Sequence, residues 1–142
     1  MERQTTVFIV DDHPILCEMV ASMLRVDPAF EVVGMASSIR ETLATIGPSG
    51  PDLMLIDLTL QDGSGIQLVR TLRSRGIKAR MLVLTGVRSK GVVDEAFSVG
   101  VVGYVLKEQS PADLRAAIDA VIGGGTYIAP SIATALTARV AD

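Results

Sequence analysis

In "LMLIDLTLQDGSG" (53–65), four apolar residues run straight into Asp57 and then into a polar, glycine-containing loop. A buried charge costs several kcal/mol unless it is paired or coordinated, so an acid ending an apolar strand needs partners. Other polar residues stand at comparable places: Asp11 and Asp12 after "VFIV" (7–10), Thr85 after "MLVL" (81–84) and Lys107 after "VVGYVL" (101–106). Gathered at one end of a sheet, they put three carboxylates, a hydroxyl and an ammonium into one pocket. Two like charges about 4 Å apart repel by roughly 4 kcal/mol at an effective dielectric near 20. Lys107 supplies one compensating charge, and the remainder calls for a hard divalent cation. Magnesium fits, because it takes one or two carboxylates, a backbone carbonyl, waters and a phosphoryl group. Asp57 then stands as a nucleophile whose acyl phosphate is neutralised by the metal, Lys107 and Thr85. Taken singly, an Asp after a strand is a turn or helix cap, and a lone Lys is a solvated surface group. Their joint placement on four strands is what argues for chemistry.

The elements that must position them are legible as apolar runs: 7–10, 32–35, 53–56, 81–84 and 101–106. Runs this apolar, without alternation, suit strands buried on both faces of a parallel sheet. Helical spacing fills the intervals. Ile15, Leu16, Met19, Val20, Met23 and Leu24 make a stripe after Pro14, with Cys17 off it and without assigned chemistry. Ser38 with Glu41 reads as a capping box ahead of Leu43 and Ile46. Ile66, Val69 and Leu72, then Val93, Ala96 and Phe97 closed by Gly100, mark two more helices. Ser110, Pro111 and Asp113 start the fifth, before Leu114, Ile118, Val121 and Ile122. Strands alternating with helices predict a doubly wound α/β domain, (βα)5, of flavodoxin-like strand order 2-1-3-4-5, over 5–122. After "GGG" (123–125), residues 123–142 read as a linker. In it Ser131 caps a short helix carrying Ile132, Leu136 and Val140.

Composition bounds the rest. One domain is expected from 142 residues that are 49% hydrophobic. The opening "MERQTT" has no signal-peptide pattern and no apolar run reaches membrane-span length, so a cytoplasmic location and no membrane contact are expected. A single cysteine excludes an internal disulfide. Thirteen basic against 16 acidic residues, a net charge of −3, with three Phe, two Tyr and no Trp, make these residues a poor nucleic-acid surface.

The constellation resembles the receiver domain of two-component response regulators along residues 5–122. "VFIVDDHPILCEMVASML" is similar to the opening of the subfamily with a LuxR-type helix-turn-helix, "DLTLQDGSG" to its phosphoacceptor loop, and "GVVGYVLK" to its fifth-strand signature. The resemblance implies that Asp57 is phosphorylated by a sensor histidine kinase. It implies that Asp12 ligates Mg2+ directly, that Asp11 acts on the metal through water, and that Thr59 adds its backbone carbonyl. Thr85 and Lys107 would contact the phosphoryl oxygens, with Thr85 and Tyr104 as the switch pair. It further implies a homodimer on phosphorylation, and DNA binding only through a C-terminal helix-turn-helix that these 142 residues do not include.

Two positions depart from the family pattern. Gln61 stands where Pro is common, which loosens the loop without removing a ligand, and Glu108 stands where Pro often follows the lysine. Val87, two after Thr85, is apolar and cannot orient an attacking water, so a long-lived phosphoryl group is expected. His13, the only histidine, reads as a helix-entry residue near the rim of the site, since the family's phosphohistidine belongs to the kinase. Two other classes share parts of the pattern. A haloacid-dehalogenase-like phosphohydrolase needs a second Asp two residues after its nucleophile, where Thr59 stands. A phosphorylation-independent pseudo-receiver usually lacks a pocket residue, whereas all five are present.

Overall fold

Strands alternate with helices from Thr5 onward in the computed structural model, which describes residues 3–133. The elements are β1 (Thr5–Val10), α1 (Pro14–Arg25), β2 (Phe30–Ala36), α2 (Ile39–Thr45), β3 (Leu53–Ile56) and α3 (Gly65–Ser74). They continue as β4 (Arg80–Thr85), α4 (Lys90–Ser98), β5 (Gly103–Leu106), α5 (Pro111–Ile122) and β6 (Tyr127–Ile128). The strands form one parallel sheet in the order β2-β1-β3-β4-β5-β6. The expected flavodoxin-like order is thus present, extended by one edge strand. Among the described residues no helix is long and apolar enough to cross a membrane.

Each central strand turns alternate side chains to two apolar layers, which is why its sequence runs apolar without a break. Val7 and Ile9 pack with α1 and α5, whereas Phe8 and Val10 face the layer that holds α3, α4 and the partly buried side of α2. In α1 the buried positions are Cys17, Val20, Ala21 and Leu24. The stripe read from the sequence was therefore rotated by about one residue. Ile15 is 89% exposed, and Met19 is exposed too, while the small side chains of Cys17 and Ala21 let the helix sit close to the sheet. The Ser110–Asp113 capping box is complete. At α2 only half of the expected box forms: Ser38 accepts from the Glu41 N–H, but the Glu41 carboxylate accepts from Ser37 instead.

The segment after Ile122, read as a linker, packs onto the sheet. Tyr127 and Ile128 pair with Gly103 and Tyr104, and the Ala129 N–H donates to the Tyr104 carbonyl at 2.8 Å. Ala129 and Ile132 are buried in the same apolar cluster as Tyr104. Residues 130–133 are helical, which puts Ser131 inside that turn rather than at its cap. Leu136 and Val140 lie outside the described residues.

Candidate functional site

The ladder of the sheet runs one residue past the strands and fixes the chain where the polar residues begin. Asp11 N–H donates to Ala36 O at 3.0 Å, Asp57 N–H to Val10 O at 2.9 Å and Lys107 N–H to Thr85 O at 2.9 Å. Asp11, Asp57, Thr85 and Lys107 thereby share the carboxyl-terminal edge of the sheet, the edge at which open α/β sheets bind ligands.

The Asp57 side chain is 2% exposed, so its carboxylate depends on protein partners. Lys107 Nζ donates to Oδ2 at 2.8 Å, and the Thr59 N–H donates to Oδ1 at 3.1 Å. The same ammonium reaches Asp11, 3.1 Å from Oδ2 and 3.3 Å from Oδ1. Burial alone would lower the Lys107 pKa, but the hydrogen bonds to Asp57 and Asp11 and their charges outweigh it and hold it above the usual lysine value. Asp11 also accepts the His13 N–H at 2.8 Å. Asp12 differs: its Oδ1 is buried and has no hydrogen-bond partner among the described residues.

The phosphoacceptor-like loop is pinned rather than loose. Thr59–Leu60 pairs antiparallel with Gly63–Ser64, and the Gly65 N–H donates to Leu58 O at 2.9 Å. A Cβ at Gly65 would lie 2.3 Å from Asp57 O, so only glycine lets α3 start this close to the strand end. Gln61 does not free the loop, because its Nε2 donates to Ser37 O at 3.3 Å. Asp62 accepts the Ile39 and Arg40 N–H groups at 2.8 and 3.0 Å, capping α2 from a distance. The Lys107–Glu108 peptide is trans, as no cis bond occurs among the described residues.

Thr85 and Tyr104 are both fully buried and both engage the main chain of Val87. The Val87 N–H donates to Thr85 Oγ1 at 3.4 Å, and Tyr104 Oη donates to Val87 O at 2.6 Å. Burial, with the Asp57 charge as a lesser cause, pushes the Tyr104 phenol up to about 12, so it stays a neutral donor. Cys17, expected off the apolar face, is buried, and its thiol donates to Asp11 O at 3.3 Å. Burial and the Asp11 charge push it up to about 11, which leaves no thiolate at neutral pH.

His13 stands at the entry to α1 on the rim of the site, as its place in the sequence suggests, and comes closer to the acids than that reading required. It caps α1 through its backbone only, and its ring turns toward the acids. Nδ1 lies 2.8 Å from Asp11 Oδ1, 3.0 Å from Asp12 Oδ1, 3.8 Å from Asp57 Oδ2 and 2.8 Å from Lys107 Nζ. The available signal was its place directly behind the acidic pair in a strand-to-helix loop. A hollow of about 240 Å³ opens beside Asp11 and Asp12, lined also by Ser37 and Glu41. A larger one of about 570 Å³ lies at Arg3, Asp52 and Arg80, at the opposite end of the sheet and away from this chemistry.

Comparison with known families matches residues 7–119 to the response regulator receiver domain. The chain belongs to the response regulator receiver family. The matched range contains the whole acid cluster, Thr85, Tyr104 and Lys107. This receiver is 36% identical over 134 residues to the DNA-binding transcriptional activator DevR/DosR of Mycobacterium tuberculosis, covering 94% of this chain and 62% of that protein. It is 34% identical over 137 residues to the transcriptional regulatory protein UhpA of Escherichia coli, covering 96% and 68% respectively. A crystal structure of a LuxR-family two-component response regulator from Aurantimonas sp. SI85-9A1 superposes with a TM-score of 0.90 at 31% identity, covering 99% of this chain and all of that one. The receiver's donor set suits a hard dication: carboxylate oxygens of Asp11, Asp12 and Asp57 come within 4.8 Å of one another, and Asp12 Oδ1 accepts no hydrogen bond among the described residues.

Proposed function

We propose that this receiver is a phosphoacceptor switch, in which Asp57 takes a phosphoryl group from the phosphohistidine of a sensor kinase with Mg2+ at the acid cluster. The observation that carries this reading is the pairing of buried Asp57 with Lys107 at 2.8 Å beside the orphaned Asp12 oxygen. A carboxylate oxygen of Asp57 attacks phosphorus, the bond from phosphorus to imidazole nitrogen breaks, and the imidazole leaves with the electron pair and takes up a proton. Lys107 stays near the growing negative charge and offsets it. Asp12 and Asp57 would hold the ion directly, Thr59 through its carbonyl and Asp11 through a water. Magnesium bound there supplies positive charge against the phosphoryl oxygens.

The output follows from the Val87 contacts. A phosphoryl oxygen on Asp57 accepts the Thr85 hydroxyl hydrogen, and drawing that side chain toward the phosphoryl group stretches the bond that Oγ1 now accepts from the Val87 N–H. Losing that bond frees the loop that also holds the Tyr104 hydroxyl, and the surface of α4, β5 and α5 changes with it. The phosphoryl group binds one of the two arrangements better, and only that difference moves the population. Val87 itself offers no group to orient an attacking water, which favours a slow loss of the phosphoryl group. Curated relatives are named as DNA-binding or transcriptional regulators and extend well beyond the length this chain covers, which supports a DNA-binding output reached through a linker. Dimer formation on phosphorylation and a cytoplasmic location belong to the same reading. Incubation with acetyl phosphate and Mg2+, read by intact mass, tests it. The wild type gains one phosphoryl group, while Asp57→Asn and chelator-treated samples gain none. A gain that persists in Asp57→Asn, or turnover of a generic phosphomonoester, overturns it.

A further inference from the structure

The segment between β4 and α4 has little to hold it. Residues 86–89 lie outside helix and strand. Ser89 stands at the N-cap of α4 without a side-chain cap bond, and the first turn carries no acid to favour the helix start. The contact from the Val87 N–H to Thr85 Oγ1 is 3.4 Å, at the long end for a hydrogen bond. Among the described residues two further ties hold the loop. Tyr104 Oη donates to Val87 O at 2.6 Å, and the Arg88 guanidinium pairs with the Glu108 carboxylate.

Glu108, by contrast, stands in a fixed turn. The Lys107 N–H before it donates to Thr85 O at 2.9 Å, and the Gln109 N–H after it donates to Leu106 O at 3.0 Å. The Leu106 N–H in turn donates to Gln109 Oε1 at 3.0 Å, and Ser110 opens the capping box of α5. The ion pair therefore fastens a loosely held loop to a rigid one. It runs between the two loops that follow Thr85 and Lys107, at the edge of the sheet where Asp57 stands. Drawing Thr85 toward a phosphoryl oxygen pulls on the chain that carries Arg88, while Glu108 stays in place. A contact made in one arrangement and stretched in the other weights the first by its own free energy.

We propose that the Arg88–Glu108 pair is a strap on the β4–α4 loop that favours the unphosphorylated arrangement and so sets how readily the pocket accepts a phosphoryl group. This rests on the reading of Asp57 as a phosphoacceptor. Arg88 and Glu108 are positioning residues, acting on the pocket through Val87 and Thr85. Their side chains are 53% and 60% exposed, so the strap acts by a small factor and is screened by salt.

The test titrates beryllofluoride with Mg2+ into the 142-residue chain by calorimetry. At low salt, Arg88→Gln and Glu108→Gln are each expected to bind it about two- to fivefold more tightly than the wild type, the scale of an exposed ion pair. Arg88→Lys keeps the charge and is expected to stay close to the wild type. The charge-exchanged double variant, Arg88→Glu with Glu108→Arg, is expected to return to the wild-type affinity. In about 1 M NaCl, where the screening length is roughly 3 Å, the differences are expected to close. A merely structural role would neither be rescued by the exchange nor fade with salt. Single variants that bind like the wild type, or a gain that the exchange does not reverse, overturn the strap and leave the phosphoacceptor reading standing. If no chain binds beryllofluoride, the wild type included, the phosphoacceptor reading fails and hydrogen exchange of the Val87 amide judges the strap. Faster exchange in both single variants, slowed again in the exchanged pair, supports it, and exchange unchanged in all of them overturns it.

Discussion

At the scale of single residues, the pocket is a problem in charge balance. Asp11, Asp12 and Asp57 bring three carboxylates to one ammonium, and Asp57 and Asp11 are almost wholly buried. Removing one partner of a buried pair costs about 3–5 kcal/mol, because the other charge is left uncompensated. Lys107 is partly exposed, so Lys107→Met is expected near the lower end, a loss of about 3 kcal/mol in chelator by urea denaturation. Adding Mg2+ is expected to restore part of that loss, since a dication takes over the neutralisation. In the wild type, Mg2+ at 100 times its dissociation constant stabilises by about 2.7 kcal/mol, a rise in Tm on the order of 10 °C. Calorimetry of Asp12→Asn is expected to show that rise largely gone, and an undiminished rise would remove Asp12 from the ligand set. Asp57, Asp11, Asp12 and Lys107 were legible in the sequence because each ends an apolar run, and the sheet lines up such ends. The closeness of His13 to the acids was not, because it depends on which way one ring turns at the top of α1.

At the scale of elements, the loop between β3 and α3 is held by close approach and by borrowed caps. Gly65→Ala would place a methyl group 2.3 Å from Asp57 O and 2.9 Å from Leu58 Cα. Backbone atoms cannot yield as a flexible side chain can, so a loss of about 2–3 kcal/mol is expected from urea denaturation. Phosphoryl uptake is expected to fall with it, because Asp57 itself must shift. Asp62 ties this loop to α2. The Arg40 and Ile39 N–H groups hold its carboxyl below the usual aspartate value. A depressed folded-state value gives stability that is present above about pH 4, the unfolded value, and lost as pH falls through the folded one. Comparing wild type with Asp62→Ala at pH 7 and pH 3 by urea midpoint, the gap is expected to narrow at the lower pH. A gap that stays constant would mean that the carboxylate is not what caps α2. None of this long-range capping was legible, because Ser38 at the helix start already satisfied the local pattern. The rotation of α1 was missed for a related reason: the sequence weights Ile15 and Met19 by size, whereas the sheet accepts the small Cys17 and Ala21.

For the whole molecule, the question is where the packed unit stops and how a change at Asp57 leaves it. The triple glycine at 123–125 reads as a break, and a two-residue strand has too few positions to show any period, so β6 was invisible in the sequence. In the structure that strand lies on β5, paired with Tyr104 itself, and Ile132 is 3% exposed in the cluster that also holds Tyr104 and Val83. Any movement of Tyr104 therefore acts directly on the chain that follows α5, through the hydrogen bond from Ala129 N–H to Tyr104 O and through the shared apolar contacts. If residues 127–133 were loosely tethered, Ile132→Ala would stay within about 0.5 kcal/mol, as surface substitutions do. Packed as they are, it is expected to cost about 2–4 kcal/mol in urea denaturation, the range for emptying a buried isoleucine site. The coupling has its own readout in hydrogen exchange. Beryllofluoride with Mg2+ is expected to change the protection of the Ala129 amide in the wild type, and much less in Tyr104→Ala, where the buried ring is gone. An Ala129 amide indifferent to beryllofluoride, in a protein that binds it at Asp57, would mean that the signal leaves through α4 or α5 and that β6 only seals the edge of the sheet.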